Sequence, residues 1–138
     1  MPSIAFFHGW GLSSQFWGPV NLGPSWKTYV FDRGYFGDQL MFENLPKVDL
    51  IVSNPPYVMD KEKELMQENV LNYEPELALF VSEDNPLLFY RKIAELAFVS
   101  LNKNGKLFFE INEQFGQETI ELLSNIGFVD IELKKDIN

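Results

Sequence analysis

Residues 48–58 have the sequence VDLIVSNPPYV. The apolar run Asp49–Ser53 predicts a buried strand, and the two prolines that follow exclude its continuation as either strand or helix. A buried strand that stops at a polar turn is typical of a parallel α/β sheet, where ligands bind beyond the carboxyl ends of the strands. We therefore expect a functional site at Asn54–Tyr57.

Strands and helices alternate on both sides of this stretch, which is the pattern of a parallel sheet covered by helices. The predicted strands are Ser3–Phe7, Lys27–Phe31, Asp49–Ser53, Lys106–Ile111 and the edge strand Phe128–Leu133. One short predicted helix begins at about Ser14. The other predicted helices are Lys61–Asn69, Pro86–Leu101 and Gln117–Asn125. Asn104-Gly105 is predicted to end the second of these three, and Gly127 to end the third. The expected fold is α/β, a three-layer sandwich with a mainly parallel sheet of about five strands and helices on both faces.

The composition describes a globular chain with few options for metal or thiol chemistry. The 138 residues are 46% hydrophobic and suit a single α/β domain. Phe6-Phe7 and Phe108-Phe109 are each expected to place one ring on either face of the sheet, in core positions. There is no cysteine and only one histidine, His8. The acidic residues Glu110, Glu113 and Glu118 are spread over a strand end, a loop and a helix, so we predict no metal site. The sequence has neither a membrane-spanning run nor a signal peptide, which predicts a cytoplasmic protein.

The net charge of −9 is carried by the second part of the chain. Residues 1–48 are neutral, with three acidic and three basic side chains, whereas residues 49–138 hold 17 acidic and 8 basic ones. All three tryptophans and six of the nine glycines precede residue 38. Because affinity for nucleic acid comes mainly from Lys and Arg, a protein or small-molecule partner fits better than DNA or RNA.

The Asn54-Pro55-Pro56-Tyr57 turn has the groups needed to alkylate a planar amide or exocyclic amine. Such a nitrogen is a weak nucleophile because its lone pair is delocalised, so an enzyme must hold both N–H groups and steer the lone pair. The Asn54 side-chain carbonyl and the Pro55 backbone carbonyl are the candidate acceptors. Pro56 stiffens the turn and Tyr57 offers a flat packing face. The simpler alternative is a proline turn after a strand, with a buried tyrosine.

The stretch from about Asp38 to Asn138 resembles the C-terminal part of the release factor glutamine methyltransferases, a Rossmann-like class I family that uses S-adenosylmethionine (SAM). The resemblance is carried by VDLIVSNPPYV at 48–58, YEPELAL at 73–79, PLLFYR at 86–91 and GKLFFEI at 105–111. It implies N5-methylation of the glutamine in the GGQ loop of a peptide-chain release factor. It makes Asn54 and Pro55 the carboxamide ligands, with Tyr57 as the packing face. Asn54 is also a candidate cofactor contact. It places Asp38 at the adenine end of the cofactor.

The front of the chain departs from that family. The family's N-terminal docking domain and glycine-rich cofactor loop are not recognisable, and the chain stops before the family's final strand, which would leave a sheet edge unpaired. Residues 1–37, with IAFFHGWG at 4–11, instead resemble the start of an α/β-hydrolase of the biotin-synthesis carboxylesterase type. Hydrolysis is excluded because there is no Gly-x-Ser-x-Gly elbow, so His8 is interpreted as a turn residue.

The front segment is a candidate for completing the methyltransferase sheet and its cofactor site. Gly9-x-Gly11 follows a strand, and Asp32 ends the next strand, which imitates a nucleotide-binding layout. The simpler interpretation is the glycine turn that any strand–turn–helix unit needs. This arrangement predicts a junction near residues 37–40 between a hydrolase-like and a methyltransferase-like segment.

Three functions remain open from the sequence. The leading one is SAM-dependent glutamine methylation of a release factor. The second is a catalytically silent chimeric or designed α/β protein, which could form a homo-oligomer through its unpaired sheet edge. The third is methylation of a nucleic-acid amino group, which the Asn-Pro-Pro-Tyr turn allows and the net charge of −9 disfavours.

Overall fold

The structure is a computed structural model that describes residues 1–7, 22–31, 45–55, 58–59, 80–81 and 85–135 of the chain. Within these ranges the strands are β1 (Ser3–Phe7), β2 (Lys27–Phe31), β3 (Val48–Ser53), β4 (Val58–Met59), β5 (Phe80–Val81) and β6 (Leu101–Phe109), and the helices are α1 (Leu88–Ser100) and α2 (Gly116–Ile126). Four strands form one sheet in the order β2-β1-β3-β6, and β4 pairs with β5 in a second sheet. Every strand pair is parallel, so the α/β class and the parallel sheet are confirmed.

The front of the chain supplies half of the main sheet. Strand β1 lies between β2 and β3, and all five of its residues are buried. An inner strand of a parallel sheet is covered on both faces, which explains why Ser3–Phe7 is a nearly continuous apolar run. The predicted bounds of β1 and β2 are confirmed, and β3 begins one residue earlier than predicted, at Val48.

The core lies between one face of the sheet and α1. Strand register places Ala5, Ile51 and Leu107 side by side on this face. They pack with a stripe on α1, and the fully or nearly fully buried members of the cluster are Ala5, Phe7, Val48, Ile51, Phe89, Ile93 and Ala97. The apolar positions of α1 recur at helical spacing, as its sequence predicts. The helices predicted from about Ser14 and over Lys61–Asn69 lie outside the described residues.

The end of α1 and the start of β6 differ from the prediction. The helix ends at Ser100, and Leu101 is already extended and pairs with Val48. The next pair is Leu50 with Lys106, so four residues of β6 lie opposite the single residue Asp49. Asn104 has φ 65°, and a Cβ on Gly105 would lie 2.9 Å from the Asn102 carbonyl oxygen. Asn104-Gly105 therefore forms a bulge inside the strand, and does not end the helix as predicted.

The C-terminal part contains one correct and one wrong prediction. Helix α2 extends one residue beyond its predicted ends on each side, and Gly127 closes it at φ 122° with its N–H donated to the carbonyls of Leu123 and Ser124. No strand is assigned over residues 128–133, so the predicted edge strand is wrong. Asp130 has φ 53°, which breaks the extended backbone. A strand also needs a ladder partner, and this segment has none among the described residues.

The two Phe-Phe pairs behave differently. Phe6 and Phe7 are both buried, as predicted for an inner strand. Phe109 is half-buried against the core, but Phe108 is 52% exposed, so the prediction of a core position for Phe108 is wrong. The reason is the position of β6, whose only ladder partner among the described residues is β3. Within the described parts of the chain, no helix is long and apolar enough to cross a bilayer.

Candidate functional site at the carboxyl end of the sheet

The four strands of the main sheet end at one common edge. The register aligns Phe7 with both Phe31 and Ser53, and Ser53 with Phe109. Because all strands are parallel, the residues that follow them leave the sheet on the same side. This carboxyl edge is where ligands bind in open α/β sheets.

Asn54 is held at this edge between two strands. Its backbone N–H donates to the Phe7 carbonyl of β1 at 3.1 Å. The preceding carbonyl, of Ser53, accepts the backbone N–H of Glu110 at 3.0 Å. Asn54 is half-buried, whereas Pro55 is fully buried. The arrangement anchors the backbone of the Asn54-Pro55 turn on both sides and leaves part of Asn54 accessible.

The other predicted site residues lie outside the described residues. They are Pro56, Tyr57, Gly9, Gly11, Asp32 and Asp38, together with His8. The described strands still show where the neighbouring chain departs. Strand β1 ends two residues before Gly9, and β2 ends directly before Asp32, both at the edge that carries Asn54.

A short second sheet includes the two residues that follow Tyr57 in the sequence. Strand β4, Val58–Met59, pairs in parallel with β5, Phe80–Val81. This pairing brings residues 80–81 next to residues 58–59, although more than twenty positions separate the two strands in the sequence. Neither strand was predicted from the sequence, because two-residue strands are too short to show a period.

A buried tyrosine and a buried asparagine form a hydrogen bond close in sequence to the end of β6. The sequence did not predict this pair. Tyr90 of α1 is fully buried, and its hydroxyl oxygen accepts the backbone N–H of Asn112 at 3.2 Å. Asn112 follows β6 by three residues and is itself buried. The one available signal was a tyrosine on the buried face of α1, since a buried phenol usually has a hydrogen-bond partner.

Among the described residues, the acidic side chains do not form a metal site at this edge. Glu110 and Glu113 are exposed, and within the described ranges no three acidic or histidine side chains come together. The carboxyl group of Asp49, near the amino end of β3, has a lowered pKa. The Asn102 side-chain amide, and then the Ser3 backbone N–H, donate to its carboxylate and hold its pKa below the ordinary value of 3.8. Asp49 thus ties β3 to β1 and to the bulge of β6.

The fold and this edge define a class of protein. A parallel α/β sheet, with an inner strand that runs into Asn54-Pro55 at the ligand-binding edge, is consistent with a Rossmann-like methyltransferase.

Comparisons with known proteins narrow the class. The chain is 58% identical over 89 residues to the release factor glutamine methyltransferase of Flavobacterium psychrophilum, a match that covers 64% of this chain and 31% of that protein. It is 53% identical over 89 residues to the release factor glutamine methyltransferase of Bacteroides thetaiotaomicron, covering 64% and 32%. It is also 42% identical over 113 residues to a bifunctional methyltransferase of Rickettsia bellii, covering 80% and 20%. No family profile matches the chain.

These matches confirm the resemblance to the release factor glutamine methyltransferases. The chain spans about a third of the length of the release factor glutamine methyltransferases it matches, and a fifth of the bifunctional protein.

Proposed function

We propose that this chain is a SAM-dependent methyltransferase module that transfers a methyl group to the side-chain amide of a glutamine in a peptide-chain release factor. The observation that carries the proposal is the anchored turn at Asn54-Pro55. The Asn54 N–H donates to the Phe7 carbonyl of β1, and the carbonyl of the preceding Ser53 accepts the N–H of Glu110, the residue after β6. The names of the similar proteins supply the reaction and the substrate.

The chemistry of this turn suits a primary amide. The Asn54 side-chain oxygen and the Pro55 carbonyl would each accept one N–H of the glutamine amide, which turns the nitrogen lone pair toward the electrophile. When bound, SAM supplies an electrophilic sulfonium methyl group. On transfer of that methyl group, the amide nitrogen held by Asn54 and Pro55 would gain the carbon and release one proton to solvent, and the electron pair of the broken carbon–sulfur bond would stay with the departing sulfur. Pro56 would stiffen the turn, and Tyr57 would pack against the flat amide.

A preorganised acceptor pair explains why the turn must be anchored. Small errors in the position of a reacting amide are costly, because methyl transfer requires the nitrogen in line with the breaking bond. Full burial of Pro55 restricts the turn on its inner side, while the half-buried Asn54 stays within reach of a ligand.

The cofactor would lie in the crevice beyond β1 and β2. Both strands come from the segment 1–37 and end at the same edge as β3. In this proposal Gly9, Gly11 and Asp32, which follow these strands, together with Asp38 and Asn54, contact the cofactor. The hydrolase-like segment would thereby replace the cofactor-binding half of the sheet, with a junction near residues 37–40.

Calorimetric titration with S-adenosylhomocysteine, the demethylated product, tests this proposal. We expect micromolar binding by the chain and at least about tenfold weaker binding by Asn54→Ala, because one polar ligand contact is worth about 1–3 kcal/mol. Asn125→Ala is the matched control, since Asn125 is an exposed asparagine near the end of α2. Absence of binding up to millimolar ligand would refute the proposal and favour a catalytically silent α/β protein.

A further inference from the structure

We propose that Tyr90 is a positioning residue for the Asn54 site: its hydroxyl holds the turn that follows β6, and that turn holds the carbonyl directly before Asn54. The inference rests on the proposed function for its catalytic consequence, but the positioning itself can be measured without any activity.

The first link joins α1 to the turn. Tyr90 is fully buried, and its ring meets Phe109 edge-on with centroids 5.4 Å apart. Its hydroxyl oxygen accepts the Asn112 backbone N–H at 3.2 Å. Asn112 is only 7% exposed, so this phenol gives a buried backbone donor a hydrogen-bond partner.

The second link closes the turn itself. The Asn112 side-chain oxygen accepts the Gln114 N–H at 3.0 Å, and the Asn112 carbonyl accepts the Phe115 N–H at 3.0 Å. The Phe115 carbonyl in turn accepts the Thr119 hydroxyl at 2.7 Å. Residues 112–115 thus form a hydrogen-bonded connection from the end of β6 to α2, and the Tyr90 hydroxyl links this connection to α1.

The third link reaches the candidate site. Glu110 lies two residues before Asn112, and its N–H donates to the Ser53 carbonyl at 3.0 Å. Ser53 directly precedes Asn54, whose own N–H donates to Phe7. A displacement of Asn112 therefore acts on Glu110, which is one of the two backbone contacts that anchor the Asn54-Pro55 turn.

The competing interpretation is that the Tyr90 hydroxyl only satisfies a buried donor and stabilises the packing of α1. Under that interpretation its removal would affect Asn112 alone, or would weaken the whole fold evenly. Under the positioning interpretation the effect follows the path from Asn112 through Glu110 to Asn54 and spares distant hydrogen bonds.

Tyr90→Phe separates the two interpretations, because it keeps the ring against Phe109 and removes only the hydroxyl. Tyr29→Phe is the matched control on the outer strand β2, where the residue is half-buried. Amide hydrogen exchange, read by NMR, reports each backbone bond separately. We expect exchange about tenfold faster or more at Asn112, Glu110 and Asn54, with no change at Lys27 and Gly127, whose N–H groups bond to Pro2 and to Leu123 and Ser124.

The steady-state kcat for methylation of a release factor then measures the effect of Tyr90→Phe on catalysis. We expect Tyr90→Phe to lower kcat by about tenfold and to weaken S-adenosylhomocysteine binding less than Asn54→Ala does, because the variant keeps the Asn54 side chain and only loosens the backbone that positions the amide. Faster exchange confined to Asn112, faster exchange spread evenly to Lys27 and Gly127, or an unchanged kcat would each overturn the inference. If the wild-type chain bound no S-adenosylhomocysteine, the proposed function would fail, while the exchange result would still decide whether Tyr90 positions Asn54.

Discussion

Replacing Ile51 with alanine tests whether the sheet and α1 share one tightly packed core. Ile51 is fully buried on β3, with Ala5 and Leu107 beside it in register and with Phe89, Ile93 and Ala97 in the same cluster. The two strands that flank it are held by ladder hydrogen bonds, so the site can collapse only slightly around a smaller side chain. Ile→Ala substitutions at such positions cost about 2–5 kcal/mol, and this one should lie near 3–4 kcal/mol.

Urea unfolding followed by circular dichroism measures this loss. In thermal unfolding, with a sensitivity of about 3–5 °C per kcal/mol for a chain of this size, the melting temperature should fall by about 9–20 °C. Ile51→Val removes a single methylene and should cost about 1 kcal/mol. Val129→Ala is the control, since Val129 is 80% exposed and its truncation should change stability by less than about 0.5 kcal/mol. A loss below about 1 kcal/mol for Ile51→Ala would refute the packing of α1 against this face.

Three further predictions concern single residues. The lowered pKa of Asp49 stabilises the fold above pH 3.8, and this stabilisation is lost as the pH falls through the lower folded-state pKa. Asp49→Asn should therefore be less stable than wild type at pH 7. In acid unfolding curves, the difference in stability should shrink below pH 3.8. Gly105→Ala should lower the melting temperature, because the added Cβ would lie 2.9 Å from a backbone oxygen; an unchanged melting temperature would contradict the bulge. Gly127→Ala should cost about 1–2 kcal/mol in urea unfolding because its φ is 122°, and a stabilised variant would contradict this conformation.

The inner strands were predictable because each contains a continuous apolar run in the sequence. A strand covered on both faces can be apolar at every position, as Ser3–Phe7 is, and such runs need no knowledge of their neighbours. The same holds for α1, whose buried positions Phe89, Ile93 and Ala97 recur at the helical period.

The errors come from contacts between distant parts of the chain. Asn104-Gly105 correctly indicated a turn, but whether that turn ends a helix or bulges a strand depends on the pairing of Leu101 with Val48, 53 positions earlier. The alternation of residues 128–133 indicated a strand, yet a strand forms only where a ladder partner exists. In both cases the local sequence pattern indicated a possible secondary structure, and pairing with a distant strand determined which structure formed.

The candidate site divides in the same way. The position of Asn54-Pro55 at the end of a buried strand followed from the apolar run and the prolines. The support from Tyr90 and Asn112 did not, since these residues are 22 positions apart and neither forms a recognisable motif. Only the folded sheet brings the turn after β6 beside Ser53.

Methyl transfer from labelled SAM to a purified release factor, with the modified peptide located by mass spectrometry, tests the role of the Asn54-Pro55 turn most directly. We predict a methyl group on the glutamine of the GGQ loop, and a rate lowered by about 100-fold or more in Asn54→Ala but unchanged in Asn125→Ala. Full methylation by Asn54→Ala, or transfer of label to RNA or DNA and not to the release factor, would contradict it.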